Sequence, residues 1–306
     1  VHELSEGFES AMEFSLLGPL RMHEQGCSYT PTAPKQRQLL SLLLLNANQV
    51  VSTRTCIEEL WENTPPNTAL STVQSYILQL RRILRRVPRV GSLEAARRIL
   101  ETRDGGYLLT VRGDELDTNT FATLVASGRS KLYTDDVAAT ELLGRALALW
   151  QGSVLADVQV GPVVRAYAVG LEEDRMSVQE QRIDADLRLG RHREVLGELS
   201  SLTTKLPTRE SLHARLILAM YRSGRRSQAL EVVHRLRTTL REELGLEPSP
   251  MIRNLQQAVL TCDPELDDLL RGPDLTKAVH AGPFDLVAPG RVEQHALASA
   301  AFGRDG

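Results

Sequence analysis

Between positions 70 and 87 the residues Leu70, Val73, Ile77, Leu80, Leu84 and Val87 recur at intervals of three and four. Only an α-helix gathers that spacing on one face, since each residue turns the chain by about 100°. The stripe predicts a single helix over 70–87, docked on a core through one side. The other side is constrained as tightly. Ser71, Ser75, Leu78, Gln79, Arg82 and Arg86 point away from the stripe, with Thr72, Gln74 and Arg85 on its flanks. Pro65-Pro66 precedes the helix, and two strand-like runs, 99–103 and 107–111, follow it around Asp104-Gly105-Gly106. Asp-Gly between such runs predicts a hairpin, because glycine adopts positive φ without the penalty that a Cβ brings.

Charge picks out the same stretch. The 306-residue chain has a formal net charge of −3, yet between positions 66 and 103 eight arginines (81, 82, 85, 86, 89, 97, 98 and 103) face only Glu94 and Glu101. Attraction to phosphates is local, so this balance of +6 can hold an anionic duplex although the whole chain is acidic. A solvated charged face is the plain alternative. The residue types on the polar side of the helix argue further. Small hydroxyls permit close approach, glutamine offers paired donor and acceptor groups to adenine, and arginine reaches guanine edges or phosphates. Ser71, Thr72, Gln74, Ser75, Gln79, Arg82, Arg85 and Arg86 are therefore the candidate DNA-contacting residues, with Arg103 added at the hairpin tip. Tyr107 reads as structural, packed under the turn or against the helix.

Upstream, 12–18 and 20–23 read as strands around a Gly-Pro turn, which predicts a small N-terminal sheet. A helix is expected over 35–46 with Leu39, Leu40, Leu42, Leu43 and Leu44 inward, and another begins at a Ser52 or Thr53 cap with Ile57, Leu60 and Trp61 inward. The leucine-rich run at 39–45 is too short to cross a bilayer and is flanked by Lys35, Arg37 and Asn46. A cytoplasmic protein with no membrane partner is expected. Three widely spaced cysteines, Cys27, Cys56 and Cys262, make neither a disulfide framework nor a zinc site.

The order of sheet, helix, helix, Pro-Pro loop, long helix and Gly-Gly-Tyr hairpin resembles the OmpR-type winged helix-turn-helix. The strings Glu59-Leu60-Trp61, Thr72-Val73-Gln74-Ser75-Tyr76-Ile77-Leu78-Gln79-Leu80-Arg81-Arg82 and Asp104-Gly105-Gly106-Tyr107 resemble those of the Streptomyces antibiotic regulatory protein family. Members of that family join this winged helix to a bacterial transcriptional activation domain and switch on secondary-metabolite gene clusters. Gln74 stands where the family often has arginine, which points to a different sequence preference there.

The second half carries an internal repeat. Gly190-Arg191 and Gly224-Arg225 lie 34 positions apart, and the same offset relates Ala185 to Ala219, Leu196 to Leu230, Leu202 to Leu236 and Leu206 to Leu240. That period is the one of tetratricopeptide helix pairs. Helices are expected over 120–133, 136–150, 163–189, 193–206, 209–222, 227–244 and 250–261. The segments 214–225 and 242–250 are similar to the family's activation domain.

The expected fold is mainly α with a small β component: a winged helix-turn-helix over 12–112, then a tetratricopeptide-like all-α repeat domain over 118–262. Residues 1–11 and most of 263–306 are expected to be disordered, with a short helix over 291–302. No Gly-x-x-x-x-Gly-Lys string is present, so no ATP-driven step and no cofactor are expected. His192, His213 and His234 read as scattered, solvated side chains, and Asp184 and Asp186 lie on different faces of one helix. No enzyme is indicated. The resemblance implies a nucleoid-associated transcriptional activator, a homodimer lying head to tail on direct repeats of double-stranded DNA and engaging RNA polymerase holoenzyme. The alternative is a repeat-based signalling adaptor whose winged helix binds protein.

Overall fold

The structure, a computed structural model, describes residues 12–263 and Leu266. The expectations for 1–11 and for the tail, including the helix over 291–302, lie outside the described residues. Three short antiparallel strands come first: β1 (Glu13–Ser15), β2 (Arg21–Glu24) and β3 (Cys27–Ser28), in the order β1-β2-β3. Phe14 faces Met22 across the first pair, and both are buried. Then follow α1 (Pro34–Leu45), β4 (Val50–Ser52), α2 (Thr53–Trp61), α3 (Ala69–Arg85), α4 (Leu93–Ile99), β5 (Leu100–Arg103) and β6 (Gly106–Leu109). Proline at the start of α1 loses nothing, since a first-turn amide has no partner within the helix. Ser52 caps α2 by accepting the Thr55 amide at 3.0 Å.

The structure extends some of the expectations and corrects others. The predicted hairpin forms as β5 and β6 and gains a third strand in the order β4-β6-β5, in which β4 lies 54 or more positions upstream of its central partner β6. The stretch between α3 and the hairpin, to which the sequence pattern assigns no element, holds α4, capped by Ser92 at the Ala95 amide and carrying Glu94 in its first turn and Arg97 and Arg98 in its last. Leu70 is not in the buried stripe. It is 53% exposed, and Ala69 is buried in its place.

The helical half comprises α5 (Asp117–Lys131), α6 (Asp136–Ala148), α7 (Pro162–Arg188), α8 (Leu196–Lys205), α9 (Glu210–Arg222), α10 (Arg226–Leu244) and α11 (Pro250–Thr261). The 34-residue repeat appears as two matching helix ends. Gly190 after α7 and Gly224 after α9 take φ of +79° and +77°. The next amides then bond back alike, Arg191 to the Asp186 carbonyl at 3.0 Å and Arg225 to Met220 at 2.9 Å. Each is a Schellman closure, for which a left-handed residue is needed and glycine is the least strained. Helix α8 starts three residues later than predicted, because Arg191-His192 supplies no capping side chain and 191–195 remain in turns.

Packing does not divide the chain at 112–118. One hydrophobic core runs from Met12 through the winged helix and α5–α6 to Val178, and a second runs from Ile183 to Leu266. The 27-residue α7, about 40 Å long, belongs to both. Its N-terminus is held by the winged helix. The buried carboxylate of Glu59 on α2 accepts the amides of Gly161 at 2.6 Å and Val164 at 3.0 Å. The negative charge sits at the positive end of the α7 dipole and fills donors the helix leaves open. Gly161 leaves no alternative, because a Cβ there would lie 2.0 Å from the Glu59 carbonyl oxygen. The Asp117 carboxylate at the start of α5 likewise accepts the amides of Leu16 and Leu17. Among the described residues no helix is long and apolar enough to cross a membrane.

Candidate nucleic-acid interface

Helix α3 buries Ala69, Val73, Ile77, Leu80 and Leu84, and Val87 continues the stripe beyond its end. This leaves Ser71, Gln74, Ser75, Arg82, Arg85 and Arg86 exposed along one side, with Thr72 and Gln79 half-buried at the margins. The hydroxyl protons are already used. Ser71 and Thr72 donate to the Thr68 carbonyl and Ser75 to that of Ser71, each at 2.9 Å. What the three hydroxyls offer outward is acceptor oxygen. Gln79 differs from the reading of its residue type, since its Oε1 accepts the Gln36 amide at 2.5 Å and ties α3 to α1.

The wing is locked to α3 by a residue that spacing alone does not single out. Arg81 donates from Nε to the Leu100 carbonyl and from its terminal nitrogen to Thr102 Oγ1, both at 2.8 Å. Burial, and then the neighbouring Arg97, pushes its pKa down. Tyr107 is buried opposite Thr102 and Val51, as its structural reading requires. The two wing glycines serve different ends. Gly105 takes φ of +71° in the turn, whereas Gly106 is needed because a Cβ would lie 2.3 Å from the Val51 carbonyl oxygen. Arg103 pairs with Glu101 at 2.8 Å while staying half-exposed. The Thr53 amide bonds the Gly105 carbonyl at 2.9 Å, which sets the exposed Arg54 beside the wing turn. No periodicity could have found Arg54, because its position depends on the long-range β4–β6 pairing.

The eight arginines of the basic stretch separate by their partners. Arg81 is consumed by backbone and hydroxyl acceptors, and Arg89 points inward to Glu24 at 3.3 Å and Glu115 at 2.6 Å. Arg98 and Arg103 each have a glutamate within 4 Å. Arg82, Arg85, Arg86 and Arg97 are exposed and make no ion pair among the described residues. Among the described residues no three His, Cys, Asp or Glu side chains are placed to hold a metal ion. Asp184 and Asp186 are bound to arginines, and His213 is buried against the Pro207 carbonyl rather than solvated.

Residues 29–109 match the family model "Transcriptional regulatory protein, C terminal", and residues 116–260 match "Bacterial transcriptional activator domain". The regulatory protein DnrI of Streptomyces peucetius is 42% identical over 268 residues, which span 87% of this chain and 98% of that protein. The chain belongs to the Streptomyces antibiotic regulatory protein family. The larger regulatory protein AfsR of Streptomyces coelicolor is 36% identical over 91% of this chain, and the match spans 27% of AfsR. The solved structure of Mycobacterium tuberculosis EmbR in complex with low affinity phosphopeptide superposes with a TM-score of 0.80 at 32% identity, covering 89% of this chain and 71% of that one. As a member of the Streptomyces antibiotic regulatory protein family, the chain is a transcriptional activator and not an enzyme.

Proposed function

We propose that the chain activates a secondary-metabolite gene cluster by laying α3 in a major groove of duplex DNA, with the wing beside the adjacent minor groove. The observation that carries this reading is the set of four exposed arginines, Arg82, Arg85, Arg86 and Arg97, which make no ion pair among the described residues and lie on α3 and the adjoining α4. Those arginines supply phosphate affinity, while Ser71, Thr72, Gln74 and Ser75 stand where base edges would lie. Gln79 holds α3 in place through Gln36. Arg103 and Arg54 flank the wing turn and reach toward the backbone of the duplex.

Two copies bind head to tail on direct repeats about one helical turn apart, within the nucleoid. The helical half then meets RNA polymerase holoenzyme in a fixed orientation, because Glu59 fastens α7 to α2. The test is a gel shift on promoters of the chain's own gene cluster, comparing wild type with Arg82→Ala/Arg86→Ala. Binding should weaken, and the slope of log affinity against log salt should fall by about 0.9 for every phosphate that the variant no longer neutralises. Unchanged binding at moderate salt would overturn the assignment of α3. Absence of any salt-sensitive duplex binding by the wild type would favour the signalling adaptor.

A further inference from the structure

We infer that Leu78 is a specificity residue that reads the 5-methyl group of a thymine; this rests on the placement of α3 in a major groove. Leu78 lies near the middle of the polar face, one turn from Gln74 and Ser75 on one side and from Arg82 on the other. It is an apolar residue of that face which lies outside the hydrophobic core. Val73, Ile77, Leu80 and Leu84 are buried in the N-terminal core, and Tyr76 and Ile83 pack against its edge, whereas Leu78 is half-buried on the polar side and belongs to neither set. Leu70, also outside that core, sits at the first turn on the flank near the stripe.

The surroundings decide what an aliphatic group there can meet. Ser75 is short, so the helix can approach closely at this height, and the exposed Arg82 and Arg85 can hold phosphates on the C-terminal side. In the major groove each base pair offers hydrogen-bonding edges, and the one apolar feature is the thymine methyl. Against any other edge a leucine would cover a polar atom without replacing the hydrogen bond to water, which is unfavourable. The pattern on the face is then hydroxyl and amide readers at Ser71, Gln74 and Ser75, a methyl reader at Leu78, and phosphate anchors from Arg82 onward.

The experiment uses the full chain and a random-sequence duplex pool. Selection with the wild type yields an enriched site, in which each thymine is replaced singly by deoxyuridine, which lacks only the methyl group. Affinities are measured by fluorescence anisotropy for wild type, Leu78→Ala and Leu70→Ala, after circular dichroism shows the variants folded. One replacement should weaken wild-type and Leu70→Ala binding about fourfold, the equivalent of one buried methyl group. Leu78→Ala should bind the thymine and deoxyuridine duplexes equally at that position, with its salt slope unchanged. An enriched site in which every deoxyuridine duplex binds the wild type as well as the parent overturns the inference. So does an equal loss in wild type and Leu78→Ala, or a Leu78→Ala variant that keeps methyl discrimination but loses transcription activation, which would assign the residue to a protein partner. Failure to enrich any site, with no salt-sensitive duplex binding, strikes instead at the placement of α3.

Discussion

The exposed arginines around α3 and the buried or half-buried arginines that join the helices of the second half are the same residue put to opposite uses. In the helical half Arg182, Arg188, Arg191, Arg209 and Arg215 each bind at least one carboxylate, and Arg215 is buried between Glu180 and Asp184 at 3.0 and 2.7 Å. Around α3, Arg82, Arg85, Arg86 and Arg97 have no such partner among the described residues. The difference is not a shortage of acid, because the chain carries 39 Asp and Glu against 36 Lys and Arg. Helix α3 itself carries no carboxylate. Gathering cations there raises the energy of the isolated protein slightly, and an external polyanion removes that penalty. Those five arginines of the helical half join helices to one another, whereas Arg82, Arg85 and Arg86 on α3 and Arg97 on α4 stay open to a partner outside the chain.

The largest effect that could break this contrast is in the helical half. Arg215→Met leaves Asp184 buried without its cation, while Glu180 retains Arg209 at 2.9 Å. Removing one partner of a buried pair costs about 3–5 kcal/mol. Urea unfolding should show a loss of that order, and adding Asp184→Asn to the variant should recover part of it. By comparison Arg82→Ala, on an exposed site, should stay within about 0.5 kcal/mol of wild type. A small loss at Arg215 would remove the structural half of the contrast.

Arg89 sharpens the boundary between the two sets. Sequence counts it in the basic patch, but its guanidinium faces the buried carboxylates of Glu24 and Glu115. Arg89→Ala should lower stability by about 1–3 kcal/mol, the range for leaving buried acceptors unsatisfied. Its salt slope for DNA should match the wild type. A variant that kept its stability but had a shallower slope would return Arg89 to the binding surface.

The reassignment of Arg89 shows where sequence stops being legible. The α3 stripe, the Gly-Gly-Tyr turn and the 34-residue repeat are local patterns, and helix periodicity or glycine's backbone freedom decodes each of them. The stripe still fails at Leu70, because periodicity alone does not say where the helix meets its neighbours. Partner choice is non-local. Nothing near Arg89 in sequence announces Glu24, and nothing near Gln79 announces Gln36, 43 positions away. The β4 strand is hidden because three residues carry little pattern of their own and their pairing with β6 depends on the fold. Helix α4 is a different case, since Ser92, Glu94, Arg97 and Arg98 are all local signals, overshadowed by the stronger hairpin pattern that follows them.

Arg97 tests what α4 adds to the binding surface. It sits on this helix rather than in a loop, exposed and without an ion pair among the described residues. If its place beside Arg81 puts it at the phosphate backbone, Arg97→Ala should lower the salt slope by about 0.9 while leaving the selected sequence unchanged. Quantitative anisotropy across a salt series measures this. An altered base preference would move Arg97 from the phosphate anchors to the base readers.

The smallest expected effect concerns what pairing does to acid response. At Asp136, burial pushes the carboxyl up, but the Arg188 hydrogen bonds at 2.6 and 2.7 Å, the Tyr133 amide and the Arg188 charge outweigh it and hold the group below its ordinary range. A carboxylate held low in the folded state contributes stability that is present above its unfolded pKa. That contribution is lost as pH falls through the lower folded value. Asp136→Asn should therefore be less stable than wild type near neutrality, and the gap should close as pH drops below about 3.9, the ordinary value for aspartate. Chemical unfolding at a series of pH values follows the gap directly. Arg82→Ala should show no such convergence, since no carboxylate is paired with Arg82 among the described residues. A gap at Asp136 that stayed constant with pH would mean that Asp136 acts by shape rather than by charge, and would remove Arg188 from the electrostatic contrast between the two arginine sets.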